Sequence, residues 1–228
     1  MLLKPYSSLP PSMQNAAVKP YYDILKRRMP ALVLKRAFDI VFSIAAILVL
    51  SIIMLITALI VKLSSKGPVF YRQERVGAND KIFKILKFRT MVVDADKLGP
   101  AVTAGKDNRI TPPGKFLRKF RLDEFPQMFN ILKGDMTLLG TRPEVRKYVD
   151  YYTPEMMATL LIPPGMFGTS SYKFRDESDM LEDAEDPEKV YIEQILPIKM
   201  KINLEYTADL SPLNDFKTLM MGIACLFQ

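Results

Sequence analysis

Two adjacent carboxylates, Asp123 and Glu124, stand in a strongly basic stretch of the chain, just before Pro126. Three cationic residues precede them, namely Arg118, Lys119 and Arg121. We expect these neighbours to keep Asp123 ionised and nucleophilic. A carboxylate can attack phosphorus to form an acyl phosphate, and a divalent cation would neutralise phosphate charge. An exposed helix end could carry the same pair, so the pair alone leaves both interpretations open.

Two further segments carry cations that could bind phosphate. The first is Lys87-Phe88-Arg89-Thr90-Met91, at the end of a β-prone run. In the second, Arg142 precedes Pro143 in a turn that also contains Gly140. An arginine fixed in such a turn offers a bidentate fork for a diphosphate. A surface arginine in a turn is the simpler interpretation of this second segment taken alone.

Composition limits the chemistry that these residues could support. The 228 residues include no His and one Cys, Cys225. This excludes His-based catalytic triads, a disulfide within the chain and thiolate zinc sites. Any metal is therefore expected to be a hard cation with oxygen ligands.

Charge is distributed unevenly along the chain. Residues 1–148 hold 26 Lys and Arg against 11 Asp and Glu, a net charge of +15. Residues 149–228 hold 6 against 14, a net charge of −8. A basic first half indicates an anionic partner, such as a membrane surface, a phosphorylated substrate or nucleic acid.

The segment Ile40–Val61 has 22 residues without a charge. A helix of that length covers about 33 Å, one hydrocarbon thickness, which favours a membrane-embedded helix over a soluble core helix. A signal peptide fits poorly, because the run is long and begins well inside the chain. Basic residues flank both ends, so a helix that enters and leaves by the same face is favoured over a simple crossing.

The remaining pattern predicts the elements that position these residues. Two β-prone runs around the turn 77–80 predict a hairpin. Pro112–Leu132 predicts an amphipathic helix, lying in the lipid interface and interrupted near Asp123–Phe125 by Pro126. Tyr21–Arg28 predicts a short basic interfacial helix. The acid-rich stretch Asp176–Glu188 is expected to be a solvated loop. Phe216–Phe227 is a short apolar stretch, too short to span a membrane, that is expected to pack on the core or lie in the interface.

Several motifs in order resemble those of the bacterial sugar transferases, the monotopic polyprenyl-phosphate phosphoglycosyl transferases that initiate polysaccharide and glycoprotein glycan synthesis. The matching stretches are Lys35-Arg36-Ala37-Phe38-Asp39, residues 67–77, Lys87-Phe88-Arg89-Thr90-Met91, Leu122-Asp123-Glu124-Phe125-Pro126-Gln127, residues 130–139 and Arg142-Pro143-Glu144. They cover roughly residues 35–165. Each motif is weak alone, and their common order makes the resemblance specific.

The resemblance implies roles for individual residues. Asp123 is implied as the nucleophile that attacks the sugar-bearing phosphorus of a UDP-sugar, releasing UMP, and as a ligand of Mg²⁺. Glu124 is implied to position the polyprenyl phosphate or to take its proton. Arg142 is implied as a phosphate ligand, and Lys87 and Arg89 as further substrate-binding residues.

The chain departs from the family pattern at three places. Ile52 follows Ser51 where the family usually has the proline that bends its membrane helix, so Ser51 would bend the helix only weakly through a hydrogen bond. Thr141 replaces a turn proline before Arg142. The residues from 169 to 177 differ from the common family version, and this region is a candidate for sugar selectivity. The donor sugar and the glycan pathway therefore stay open.

These observations predict an α+β, mostly helical protein with a re-entrant membrane helix, interfacial amphipathic helices and a small β-hairpin. The predicted regions are a partly interfacial lead-in (1–33), a membrane-embedded helix (34–66) and a cytoplasmic catalytic domain (67–228). The expected reaction moves a phosphosugar from a UDP-sugar to undecaprenyl phosphate at the bacterial inner membrane, with no nucleic acid partner; a homo-oligomer is left open. The alternatives are a glycosyltransferase that releases UDP and a basic membrane adaptor without enzymatic activity.

Overall fold

The computed structural model describes residues 3–95, 107–174 and 186–226. Its helices are α1 (Lys19–Arg27), α2 (Met29–Ser64), α3 (Pro112–Lys119), α4 (Gln127–Lys133), α5 (Arg146–Val149), α6 (Thr169–Lys173), α7 (Pro187–Val190), α8 (Leu196–Ala208) and α9 (Pro212–Leu226). Its strands are β1 (Phe70–Val76), β2 (Ile82–Phe88), β3 (Thr137–Leu139) and β4 (Gly165–Phe167). The mostly helical class is confirmed. Most of the acid-rich segment Asp176–Glu188 lies outside the described residues.

The predicted hairpin is confirmed, since β1 and β2 pair antiparallel from Phe70↔Phe88 to Val76↔Ile82. One side chain of α4 fastens the outer edge of β2. The Asn130 amide donates to the Lys84 carbonyl at 2.8 Å, and its oxygen accepts from the Leu86 backbone N–H at 2.9 Å. This amide takes the place of a third strand and holds α4 beside the hairpin.

A second sheet, of the parallel strands β3 and β4, was not predicted. Strands of three residues are too short to produce a readable alternation. The chain backbones approach closely just after β3, where a Cβ built on Gly165 would lie 2.2 Å from the Gly140 nitrogen. Glycine is therefore required at this contact, which sets the path of the loop leading to Arg142.

Helix α2 is 36 residues long and runs through Ser51 and Ile52 without a break. At about 1.5 Å per residue it extends roughly 54 Å. By length and composition it is long and apolar enough to cross a membrane. The Ser51 hydroxyl donates to the Leu48 carbonyl at 2.8 Å, as expected. The re-entrant path itself stays a prediction.

One stripe of α2 faces the rest of the protein. Its buried members follow a helical period and include three polar side chains, those of Asp39, Ser43 and Thr57. The buried members are Leu32, Asp39, Ser43, Met54, Thr57 and Val61. The opposite surface is apolar and exposed, for example at Leu48, Val49 and Leu55. The stripe therefore gives α2 a protein-facing side along nearly its whole length.

Charged side chains fasten the beginning of α2 to the domain. The buried Asp39 carboxylate accepts from the Leu138 backbone N–H at 2.9 Å and from the Thr137 hydroxyl at 2.7 Å. One turn earlier, the Arg36 guanidinium donates to the Ile131 and Leu132 carbonyls at 2.6 and 2.8 Å. These contacts cap the end of α4 and order the start of β3.

The N-terminal lead-in packs into the largest apolar cluster of the described chain. Its contributing residues are Leu9, Met13, Val18, Tyr22 and Leu25, packed with residues such as Val149, Leu161 and Tyr206. Helix α2 also begins at Met29 rather than near residue 34, because Pro30 occupies its first turn, where a proline needs no hydrogen-bond donor. The short helix predicted over Tyr21–Arg28 corresponds to α1 (Lys19–Arg27), and the interfacial location of the lead-in stays a prediction.

Replacing Asp39 by Ala is expected to destabilise the fold strongly. The Thr137 hydroxyl and the Leu138 N–H would be buried without a partner, which costs on the order of 2–4 kcal/mol. The matched control is Asp23→Ala, which removes only an exposed partner of Lys19 and is expected to cost about 0–1 kcal/mol. Thermal unfolding of both variants in detergent measures the difference. Equal melting temperatures would contradict the anchoring role.

Candidate active site

The segment that carries the two carboxylates is built from a helix, a tight turn and a second helix. The Thr111 hydroxyl caps α3 by accepting from the Gly114 N–H at 3.1 Å. Arg121 then adopts a left-handed conformation, with φ of 56°, which ends α3. A single helical turn, Leu122–Glu124, follows before Pro126 begins α4. The predicted interruption is confirmed, and both carboxylates lie on this turn.

Glu124 is the centre of a charge cluster. Its carboxylate, only 5% exposed, accepts from the Arg142 guanidinium at 2.9 Å and from the Lys87 ammonium at 3.1 Å. Arg121 approaches the same oxygen at 3.9 Å. Three residues that are distant in sequence are therefore brought together by β2, the Leu122–Glu124 turn and the loop after β3.

The surroundings shift the pKa values of the cluster in opposite directions. Burial alone would raise the pKa of Glu124, but Arg142, Lys87 and Arg121 hold it well below its usual range. Burial lowers the pKa of Lys87, although Glu124 partly opposes this. The Glu124 carboxylate raises the pKa of Arg142 above its ordinary value. Glu124 is therefore ionised and held in place by its cations.

Asp123 is buried beside this cluster. Burial is the main cause that raises its pKa; Lys87 and Arg118 oppose this, while the Glu124 carboxylate adds to it. The sequence predicted that Arg118, Lys119 and Arg121 would keep Asp123 ionised, and Arg118 acts in that direction. Arg121 instead approaches Glu124. Adjacent carboxylates thus have opposite shifts, with the more basic oxygen atoms on Asp123.

Arg89 lies apart from the carboxylates. Its buried guanidinium donates to the Lys66 carbonyl at 2.9 Å, and to the Ser65 carbonyl and hydroxyl at 2.8 and 3.0 Å. Gly67 makes room for it, since a Cβ there would lie 2.1 Å from the guanidinium. The structure places Arg89 at the carboxyl end of α2, where it caps main-chain oxygens. The structure does not bring Arg89 together with Lys87 and Arg142, the other residues that were predicted to bind substrate.

A second charge cluster supports the loop that carries Arg142. The Arg75 guanidinium donates to the Pro143 carbonyl at 3.1 Å and lies 3.9 Å from the Glu144 carboxylate. Glu144 also accepts from the Tyr191 hydroxyl at 2.6 Å. No role was predicted for these residues from the sequence. The available signal was that Arg75 and Glu144 belong to the stretches that resemble the family motifs.

The oxygen atoms available at this site determine whether it could hold the Mg²⁺ that the family resemblance implied. Across residues 3–95, 107–174 and 186–226 there is no group of three or more acidic side chains suited to hold a metal ion. The Oε1 atom of Glu124 already binds Lys87 and Arg142. Asp123 is therefore the carboxylate at this site that is available to a metal ion. One carboxylate fits a magnesium ion that is held mainly by substrate phosphates and water.

The two buried carboxylates, with three cations around Glu124, thus lie beside the long apolar helix α2. The comparisons with known proteins give the family. The sequence profile described as bacterial sugar transferase matches residues 30–228. The chain belongs to this family, which confirms the resemblance drawn from the motifs.

Two curated relatives show what the chain is similar to. One is the UDP-N-acetylgalactosamine-undecaprenyl-phosphate N-acetylgalactosaminephosphotransferase of Aeromonas hydrophila, 44% identical over 59% of this chain and 33% of its own length. Another is the UDP-glucose:undecaprenyl-phosphate glucose-1-phosphate transferase of Escherichia coli (strain K12), 35% identical over 92% of this chain and 44% of its own length. The chain thus spans less than half of each. Their names also specify different sugars.

Replacing Arg89 by Gln is expected to affect stability rather than chemistry. Losing the hydrogen bonds to carbonyls at the end of α2 would cost on the order of 2–4 kcal/mol. Turnover per folded molecule should stay near that of the wild type. The control is Arg27→Gln, at an exposed position. Melting temperature and activity are measured together; a large loss of turnover at an unchanged melting temperature would put Arg89 in the substrate site.

Proposed function

We propose that the protein transfers a phosphosugar from a UDP-sugar to undecaprenyl phosphate. The observation that carries the proposal is a buried Asp123 beside a Glu124 that binds Lys87 and Arg142. Membership of the bacterial sugar transferase family supports it. The names of the two relatives, both undecaprenyl-phosphate sugar phosphotransferases, support it further.

In the first step, an oxygen of Asp123 attacks the sugar-bearing phosphorus of the donor. The phosphoanhydride bond breaks, and UMP leaves with the bonding electron pair. The product is an acyl phosphate that joins Asp123 to the phosphosugar. In the second step, a phosphate oxygen of the acceptor attacks the same phosphorus, and the Asp123 carboxylate is released. Polyprenyl-diphosphate-sugar is then free to leave.

The cluster around Glu124 prepares the site for these steps. Lys87 and Arg142 provide donors that are fixed before substrate binds, so they stabilise phosphate charge without reorganising. The lowered pKa of Glu124 favours a positioning role over proton acceptance, since a weakly basic carboxylate is a poor general base. When bound with the donor, Mg²⁺ at Asp123 would supply neutralisation of diphosphate charge.

Asp123→Asn and Glu124→Gln are expected to have different effects. The donor carries a label in the phosphate next to the sugar, and acceptor lipid is withheld. Wild type and Glu124→Gln should retain protein-bound label, whereas Asp123→Asn should not, because an amide cannot form the acyl phosphate. With acceptor present, both variants should lose roughly 10²–10⁴-fold in turnover.

The released nucleotide separates the remaining alternatives. UMP supports the proposal, UDP supports a glycosyltransferase, and no nucleotide with any of a panel of UDP-sugars supports an adaptor. Each variant is compared with Asp135→Asn, whose carboxylate pairs only with exposed Lys133 among the contacts described. Near-normal turnover of Asp123→Asn would reject Asp123 as the nucleophile.

We further propose that both ends of α2 lie on the cytoplasmic face of the inner membrane. The same domain holds Asp39 at the beginning of the apolar run and, through Arg89, the main chain just after its end. A folded domain with buried charges at both ends would not be divided by a bilayer. With both ends at one face, the exposed apolar surface of α2 would lie in lipid. Other exposed apolar residues, at the end of α3 and in α9, would add to this surface, among them Phe116, Phe120, Leu213 and Phe216.

Single cysteines test this placement in a Cys225→Ser background. Pro30→Cys and Lys66→Cys flank the apolar run at exposed positions. Neither should react with an impermeant maleimide in intact cells, and both should react after the membrane is permeabilised. External labelling of Pro30→Cys alone would mean that α2 crosses the bilayer.

A further inference from the structure

A groove outside the candidate active site lies between the hairpin and α4. Its volume is about 580 Å³. Its lining includes the cations Arg72 and Lys84, the acid Glu74, and apolar side chains at Ile82, Leu86 and Phe129. Strand alternation puts Lys87 on the opposite face of β2 from Lys84 and Leu86. The groove is therefore separate from the cluster around Glu124.

Arg72 and Lys84 are diagonal neighbours on one face of the hairpin. Arg72 is paired in register with Leu86, and Glu74 with Lys84. Diagonal positions are close enough for long side chains to reach a common ligand. Within the described part of the chain, neither cationic head has a hydrogen bond or ion pair. Two cations thus face the groove without a fixed partner.

The net charge of the groove matches a monoanion. Lys133 and Asp135, which also line it, pair with each other at 2.9 Å. This leaves Arg72 and Lys84 against Glu74, a net charge of +1. A phosphodiester carries one negative charge, whereas the phosphomonoester of a polyprenyl phosphate approaches two at neutral pH. Charge complementarity therefore favours a phosphodiester ligand.

The proposed placement of α2 would put the groove close to the lipid. The Arg36 guanidinium, four residues before the uncharged run begins, donates to carbonyls at the end of α4. Phe129 lies within one turn of that end and is 41% exposed. Beside the same stretch of α2, the exposed rings of Phe38 and Phe42 stack at 5.8 Å. Aromatic and cationic side chains in this combination are typical of the headgroup region.

We propose that this groove binds the headgroup of an anionic phospholipid. Its phosphodiester would lie between Arg72 and Lys84, and its acyl chain against Phe129 and Leu86. Such a lipid would hold the hairpin at the membrane surface. The inference rests on the proposed membrane placement of α2 and is independent of the chemistry proposed for Asp123.

A single tryptophan can report on the occupant, because the chain has no Trp. The full chain carrying Phe129→Trp is placed in phosphatidylcholine vesicles that contain spin-labelled phosphatidylglycerol or spin-labelled phosphatidylcholine at equal mole fraction. From the quenching of Trp fluorescence, we expect phosphatidylglycerol to associate roughly tenfold more strongly than phosphatidylcholine. This is the effect of about one good charge-assisted hydrogen bond. Adding Arg72→Gln with Lys84→Gln should abolish the preference. Adding Lys189→Gln with Lys201→Gln, which removes equal charge at exposed positions, should preserve it.

Three outcomes would overturn the proposal. Equal quenching by both lipids would mean that the groove does not select a headgroup. No quenching by either would mean that it does not reach the bilayer. Displacement of the labelled lipid by polyprenyl phosphate, but not by unlabelled phosphatidylglycerol, would make the acceptor its occupant. Label transfer from donor to Asp123, measured in the same vesicles, separates any such failure from a failure of the proposed reaction.

Discussion

Two buried charged side chains, Asp39 and Arg89, tie the ends of the apolar run in α2 to one domain. Each is satisfied mainly by main-chain groups: Asp39 accepts from the start of β3, and Arg89 donates to the turn after α2. A buried charge without such partners would be strongly destabilising. The chain after α2 therefore has to return at once as the hairpin, and α4 and β3 have to lie against the base of the helix.

The charge cluster around Glu124 is a consequence of this attachment. Lys87 is two residues before Arg89, so the end of β2 that caps α2 also brings Lys87 to Glu124. Leu122 and Phe125, on either side of the carboxylates, pack with Met54 and Val61 of α2. The site is thus built directly against the apolar helix. A lipid-linked acceptor could reach it without leaving the membrane surface, which is consistent with the proposed reaction.

Local patterns predicted much of this arrangement, and long-range contacts account for what they missed. The hairpin and the break before Pro126 are encoded by neighbouring residues, and both could be predicted. Arg89 has its partners 23 and 24 residues away, and Asp39 pairs with a backbone group 99 residues away. No sequence periodicity reports such pairs. The burial that raises the pKa of Asp123 likewise depends on how distant elements pack.

The opposite pKa shifts of the two carboxylates bear on how a chain with no histidine handles phosphate. Glu124 is poorly suited to act as a general base, since its cations hold its pKa low. A phosphate acceptor is already anionic and needs no such base. A covalent route then requires one carboxylate that can approach phosphorus and another that holds the surrounding cations. Burial leaves Asp123 the more basic of the pair. Glu124 is the carboxylate that holds the surrounding cations, through its ion pairs with Lys87 and Arg142. The different environments of these two adjacent acids are consistent with the roles proposed for them, Asp123 as nucleophile and Glu124 as charge partner.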